Sequence, residues 1–179
     1  MEQAQLEQWA EAAAGGDQAA LERLYEALAP RLYGFLVGLT GRPALAEDLL
    51  QQTFLRAMES LGRRRPGNVR AWLFSIARNL TIDAARASKR LAVAPIPDDP
   101  DPAPNPSRQA EIDEMTEQIR REVTRLPDNQ REVILLRYYA EMSFKEIANL
   151  LGCPLNTALT RAHYAIKKLK KVMLCEAEH

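Results

Sequence analysis

Residues 130–171 read QREVILLRYYAEMSFKEIANLLGCPLNTALTRAHYAIKKLKK. The apolar spacing predicts a helix over 133–139, then a short helix opened by Ser143 with Glu146 three residues on. Ser-x-x-Glu is a capping box, in which hydroxyl and carboxylate reciprocally occupy backbone N–H groups that a helix start leaves open. Gly152-Cys153-Pro154 breaks the chain, and a second helix begins near Asn156. A short helix, a tight Gly-containing turn and a longer helix make a helix-turn-helix, which can lay its last helix in a DNA major groove. A two-helix hairpin inside any all-α core gives a similar pattern, so this stretch selects a motif and leaves the ligand open.

Working outward, apolar spacing is helical nearly everywhere. Leu21, Leu24, Tyr25 and Leu28 follow a period near 3.6, as do Leu32, Phe35, Leu36 and Leu39, and Asp17 is placed to cap the helix that carries them. Pro43 suits the first position of a third helix, whose expected buried stripe is Ala46, Leu49, Leu50, Phe54, Leu55 and Met58. Residues 62–68, GRRRPGN, form a loop, and a fourth helix over 69–88 buries Trp72, Leu73, Ile76, Leu80 and Ile82. PIPDDPDPAPNP, residues 95–106, holds six of the eleven prolines and reads as an extended acidic tether. Helix resumes near Glu111 with Ile112, Met115, Ile119, Val123 and Leu126 on one face, and Leu126-Pro127-Asp128 ends it and opens the next. There is no strand candidate and no internal repeat. The expected fold is all-α: a helical domain over 1–91, a flexible Pro-rich linker over 92–111, and a helix-turn-helix domain over 112–179.

The 179 residues carry no net charge, but the charge is segregated. Residues 1–60 hold 4 basic and 9 acidic residues, 61–90 hold 8 and 1, 91–117 hold 1 and 7, and 118–179 hold 11 and 7. Two basic zones flank an acidic one, which suggests two places where a polyanion is neutralised. The long apolar run that a membrane span needs is missing, and the acidic N-terminus lacks the basic start of a secretory signal, so a cytoplasmic protein with no membrane insertion is expected. Cys153 and Cys175 make no disulfide framework, and with His163 and His179 they fit no zinc spacing. No phosphate-binding glycine loop, metalloprotease motif or nucleophile elbow is present. An enzyme, a metal, a cofactor and a small-molecule substrate are therefore not expected.

The fourth helix carries Arg78, Asn79, Asp83, Arg86, Lys89 and Arg90 beyond an apolar anchor of Trp72, Leu73 and Ile76. Asn and Arg suit base edges and the other cations suit phosphates, although any amphipathic helix shows such a polar face. With AEDLLQQTF at 46–54, AWLFSIARN at 71–79, Leu126-Pro127 with REVILLR at 131–137, and SFKEIA at 143–148, the chain resembles the bacterial sigma-70 family. The small two-domain form, the extracytoplasmic-function or group IV RNA polymerase sigma factor, fits best, with its motifs in order across both domains.

The resemblance implies a dissociable subunit that binds core RNA polymerase and promoter DNA, is held by an anti-sigma factor, and performs no chemistry of its own. The first domain would be region 2, docking on polymerase and handling the −10 element; the second would be region 4, reading the −35 element. Asp48, Gln51, Gln52 and Phe54 match the polymerase-binding helix, although Phe54 equally suits core packing. Arg78, Asn79, Asp83 and Arg86 match the helix facing the −10 element, while Trp72 among apolar neighbours suits the core. Residues 61–69 match the loop that captures a flipped base, with Arg63, Arg64 and Arg65 holding adjacent phosphates; extrusion costs a few kcal/mol, which the pocket must return. Thr157, Thr160 and Arg161 match the start of the recognition helix, and Lys167 lies further along toward phosphates or solvent. The chain departs from the family at 156–162, NTALTRA, and at Tyr164 and Ile166, where basic residues are usual. Leu159 and Ile166 are expected to widen the buried stripe of Ala158, Ala162, Ala165, Leu169 and Val172, giving an unusual −35 preference or a partner over this face. The competing reading is a stand-alone helix-turn-helix transcriptional regulator, which would bind its operator without polymerase.

Overall fold

The computed structural model describes residues 3–91 and 119–176, with side chains over 3–88 and 119–170. Among these residues there are helices and no strand: α1 (Gln3–Ala14), α2 (Gln18–Thr40), α3 (Pro43–Ser60), a 3-10 turn (Leu61–Arg63) and α4 (Val69–Leu91). After helical residues 119–124 come α5 (Asp128–Tyr139), α6 (Phe144–Leu151) and α7 (Leu155–Glu176). By contact the described residues form two compact units, α1 to α4 apart from residues 38–42, and residues 38–42 with 119–176. The expected acidic proline tether, the helix expected around Ile112 and Met115, the side chains of Lys89 and Arg90, and those of Val172 and Cys175 lie outside the described residues.

In the first unit Asp17 caps α2 as expected, its Oδ1 accepting from the Ala20 N–H (3.1 Å). Pro30 sits inside α2 on its exposed side, so the helix runs through at the loss of one backbone bond. Leu24, Leu28, Leu32, Phe35 and Leu36 are buried, and Phe35 meets Phe74 of α4 edge-on at 5.1 Å, joining the two long helices. Leu73, Phe74, Ala77 and Leu80 form the α4 core stripe, with Trp72, Ile76 and Ile82 half-buried at its margin.

The α3 stripe differs from expectation. Ala46, Leu49, Thr53, Phe54 and Ala57 are buried, whereas Leu55 is 59% exposed and Met58 53% exposed. The apolar residues of α3 occupy more arc than one face can bury, and the small side chains of Thr53 and Ala57 fall on the buried face instead. The Thr53 hydroxyl donates to the Leu49 carbonyl (2.6 Å), so its burial leaves no open donor.

In the second unit Val123 and Leu126 are buried, and Pro127 starts α5: its carbonyl accepts from the N–H groups of Gln130 (2.8 Å) and Arg131 (2.9 Å). Arg131 reaches back to the Thr124 carbonyl (2.7 Å) and pairs with Asp128, pinning the turn. Helix α5 begins earlier than residue 133, at Asp128, because the carbonyl of Pro127 at the N-cap takes its first N–H groups and Asp128 in the first turn suits the positive end of the helix dipole. The capping box at α6 is complete: Ser143 Oγ accepts from the Glu146 N–H (3.2 Å), and Glu146 Oε2 accepts from the Ser143 N–H (2.8 Å). Gly152 closes α6 at φ 62°, ψ 36°, a left-handed conformation that glycine adopts without a Cβ penalty. The Cys153 N–H then donates to the Ala148 carbonyl (3.0 Å). Ala158, Ala162 and Ala165 form the buried line of α7, small enough to lie close against α5 and α6.

Candidate functional site

Three exposed faces carry the residues of interest. The first is the loop before α4 with the outer side of that helix. Arg63 and Arg65 are exposed, open to solvent and to a phosphate. Arg64 stands apart from its two neighbours: its side chain is 6% exposed, paired with Glu7, and set 5.7 Å from the centre of the Trp72 ring. Withdrawing Arg64 would leave the Glu7 carboxylate half-buried without its charge partner, so its role here is to hold the loop.

Glu7 is the centre of that loop. Beside Arg64, its Oε1 accepts from the Gly67 N–H (2.8 Å) and its Oε2 from the Val69 N–H (3.1 Å). Burial alone would raise its pKa, but Arg64 and the two backbone N–H groups together hold it below the ordinary value. Val69 is the first residue of α4, and its N–H is among those a helix start leaves without an internal partner. Asn68 supplies the next bond, its Oδ1 accepting from the Ala71 N–H (2.9 Å). Nothing in the sequence around Glu7, EQAQLEQWA, marks it out; its role exists only because α1 packs beside the loop.

Along α4, Asn79, Asp83 and Arg86 recur at i, i+4 and i+7 and are exposed, one ridge on the solvent side. Arg78 stands off that ridge and is half-buried. Asp83 and Arg86 approach at 3.6 Å with both side chains mostly exposed, a pair too solvated to contribute much to stability. They therefore remain available to a partner that offers better hydrogen bonds.

The second face belongs to α3. Asp48, Gln51 and Gln52 are exposed on one side, and Leu55 and Met58 continue it along the helix. Phe54 points away: it is 8% exposed, its ring tilted against Tyr25 at 4.6 Å. Of the two readings of Phe54, its burial against Tyr25 supports core packing. Leu55 and Met58 make the opposite move, from expected core to exposed surface. A polar patch with two adjoining large apolar side chains is what a protein interface presents before it is covered.

The third face is the outer side of α7. Opposite the buried alanines run Asn156, Thr160, His163 and Lys167 at i, i+4, i+7 and i+11, all exposed. Thr157 and Arg161 lie to one side and are half-buried, with Tyr164 exposed beside them and its ring edge-on to His163 at 5.8 Å. Leu159 and Ile166 are 41% and 44% exposed, so they do not widen the buried stripe. With Leu155 they form an apolar band along the other flank of the polar ridge. Asn156 and His163 share this ridge with Thr160 and Lys167, and the i, i+4, i+7, i+11 spacing is the sequence signal that groups the four.

Among the described residues no group of three or more His, Cys, Asp or Glu is arranged to hold a metal, and no helix is long and apolar enough to cross a membrane. The geometry thus offers contact surfaces: one mixed polar and apolar, two polar with basic groups.

Comparison with known proteins gives the family of the two units. Residues 24–91 match the family model described as Sigma-70 region 2, and residues 116–169 match that of Sigma-70, region 4. The chain is 34% identical over 158 residues to the ECF RNA polymerase sigma factor SigM of Bacillus subtilis, covering 83% of this chain and 94% of that one. It is 37% identical over 164 residues to the RNA polymerase sigma factor CarQ of Myxococcus xanthus, covering 88% and 91%. In fold it is similar to the sigma factor RpoE crystallised with the anti-sigma factor NepR from Bartonella quintana, with a TM-score of 0.74, 24% identity, and coverage of 85% of this chain and 95% of that one.

Proposed function

The chain belongs to the sigma-70 family, in its two-domain extracytoplasmic-function form, and from that membership we propose that it directs promoter-specific initiation by joining core RNA polymerase and reading −10 and −35 elements. The observation that carries this is the pairing, on one chain, of both regional matches with exposed faces of the right chemistry. On α3, Asp48, Gln51 and Gln52 with Leu55 and Met58 form the surface assigned to polymerase. On α4 and its loop, Asn79, Asp83, Arg86, Arg63 and Arg65, with Arg78 at the margin, are assigned to the −10 element. On α7, Thr160 and Lys167 with Thr157 and Arg161 at the side are assigned to the −35 element, where a helix presents side chains to base edges and phosphates.

The factor acts by contact alone and works where the chromosome and polymerase are, in the cytoplasm. Two modest DNA modules on one chain gain affinity when polymerase fixes both at once, because the second contact becomes intramolecular. Regulation by an anti-sigma protein follows the habit of the family, and the exposed Leu155, Leu159 and Ile166 band is a surface such a partner would cover.

Run-off transcription with core polymerase over a randomised promoter library tests the proposal. The expected outcome is initiation at one pair of spaced elements that depends on the added chain, with weak DNA binding by the chain alone. Sequence-specific binding without polymerase, and no stimulation of initiation with it, would replace this reading by the stand-alone regulator.

A further inference from the structure

The loop between α3 and α4 is held from outside its own stretch of sequence. Residues 61–69 begin with the 3-10 turn and end at the first amide of α4, and between them Arg63 and Arg65 point to solvent while Arg64 folds inward. The inward group is held by Glu7, whose two carboxylate oxygens also take the N–H groups of Gly67 and Val69. Three anchor points spread over six residues leave the loop little freedom on that side. Leu6 and Ala10, buried on the same helix, fix where the carboxylate stands. Arg64 further donates to the Arg65 carbonyl (3.0 Å), and its guanidinium faces the Trp72 ring, so one carboxylate orients the loop backbone and the first turn of α4 together.

We propose that Glu7 is a positioning residue for −10 recognition: by fixing loop 61–69 from α1, it sets which base the loop accepts. This rests on the reading of that loop as the receiver of an unstacked −10 base. A receiving pocket discriminates only while its donors and acceptors keep their places, because each misplaced group leaves a polar edge of the base unpaired. Glu7 touches no DNA in this scheme; it acts through Arg64, Gly67 and Val69.

The test uses holoenzyme assembled from core polymerase and the full chain, either wild type, Glu7→Gln or Glu7→Ala. Promoters identical except for one −10 base at a time are compared, and open-complex formation is followed by permanganate reactivity. The readout is the ratio between the best and worst base at the most selective position. Loss of one charged hydrogen-bond set is expected to lower that ratio about tenfold in Glu7→Ala and about threefold in Glu7→Gln, which keeps one carbonyl acceptor. Affinity for core polymerase should stay within about twofold, since the α3 face is untouched. A role confined to stability would lower every promoter in proportion and leave the ratio unchanged, and that result overturns the proposal. If Glu7→Ala does not fold, Glu7→Gln decides the matter alone. A control chain with Arg65→Ser, Pro66→Ser and Gly67→Ser together separates the two layers of inference. If the control keeps wild-type base preference, the loop is not the receiver and the underlying reading fails. If the control loses preference and both Glu7 variants retain it, only the role of Glu7 falls.

Discussion

The turn that joins α6 to α7 and the loop that leads into α4 are both bends in front of a helix that would face DNA, and they are held in opposite ways. The first is closed from within: Gly152 takes the left-handed conformation, its N–H donates to the Ala148 and Asn149 carbonyls, and Cys153 bonds back to Ala148. The second is closed from afar, since Glu7 reaches Arg64 across 57 positions and Gly67 across 60. A bend with local closure keeps its shape wherever its helices go. A bend with distant closure keeps its shape only while α1 stays packed, so it is the one that other parts of the protein can influence.

Substitutions of graded severity sharpen that contrast. Phe74→Ala removes the ring that meets Phe35 and should cost about 3–5 kcal/mol by chemical denaturation, the largest effect, loosening the support of the distant closure while the helix-turn-helix bonds remain. Glu7→Gln should cost about 1–3 kcal/mol, because Arg64 loses its charge partner at a largely covered site. Its pH dependence has a definite sign. Folding depresses the pKa of Glu7 below its ordinary value of 4.5, so its contribution is complete above that value and fades as pH falls through the depressed one. The stability gap between wild type and Glu7→Gln should therefore be full at neutral pH and narrow in strong acid; a gap constant down to acid would show that the carboxylate charge is not what holds the loop.

Smaller effects are expected on the locally closed side. Gly152→Ala places a Cβ in the left-handed region and should cost about 1–2 kcal/mol. Ser143→Ala removes one half of the capping box and should cost about 1 kcal/mol, read as a shift in thermal midpoint. Neither should alter −10 base preference. Leu159→Lys should change stability by less than about 0.5 kcal/mol, since the side chain is already exposed, but should shift −35 affinity or preference in a promoter-binding assay. Unchanged affinity and preference would place Leu159 off the DNA.

Where sequence patterns were unambiguous they foretold the helices closely. Asp17, Pro43, the Ser143–Glu146 box and Gly152 each mark a helix end that the structure places there, because capping is decided within a few residues. α7 opens at Leu155, one residue before Asn156. Faces were less legible. On α3 a period near 3.6 fits more than one apolar stripe, so Leu55 and Met58 look like core in the sequence although Thr53 and Ala57 are the residues buried. On α7 the apolar character of Leu159 and Ile166 suggested burial, but the alanine line fills the contact and leaves them outside. Among three adjacent arginines nothing in the sequence distinguishes Arg64, and only the neighbourhood of Glu7 and Trp72 separates it from Arg63 and Arg65.

Helix order, the helix-turn-helix with its caps, and the family are properties of short spans and ordered motifs, and short spans are what a linear sequence displays directly. Which arginine is buried, which face of α3 stays open, and what clamps the loop before α4 depend on groups dozens of positions apart meeting in space. That meeting follows from packing the whole unit, where burial and hydrogen bonding select one arrangement among faces that look equivalent in the sequence.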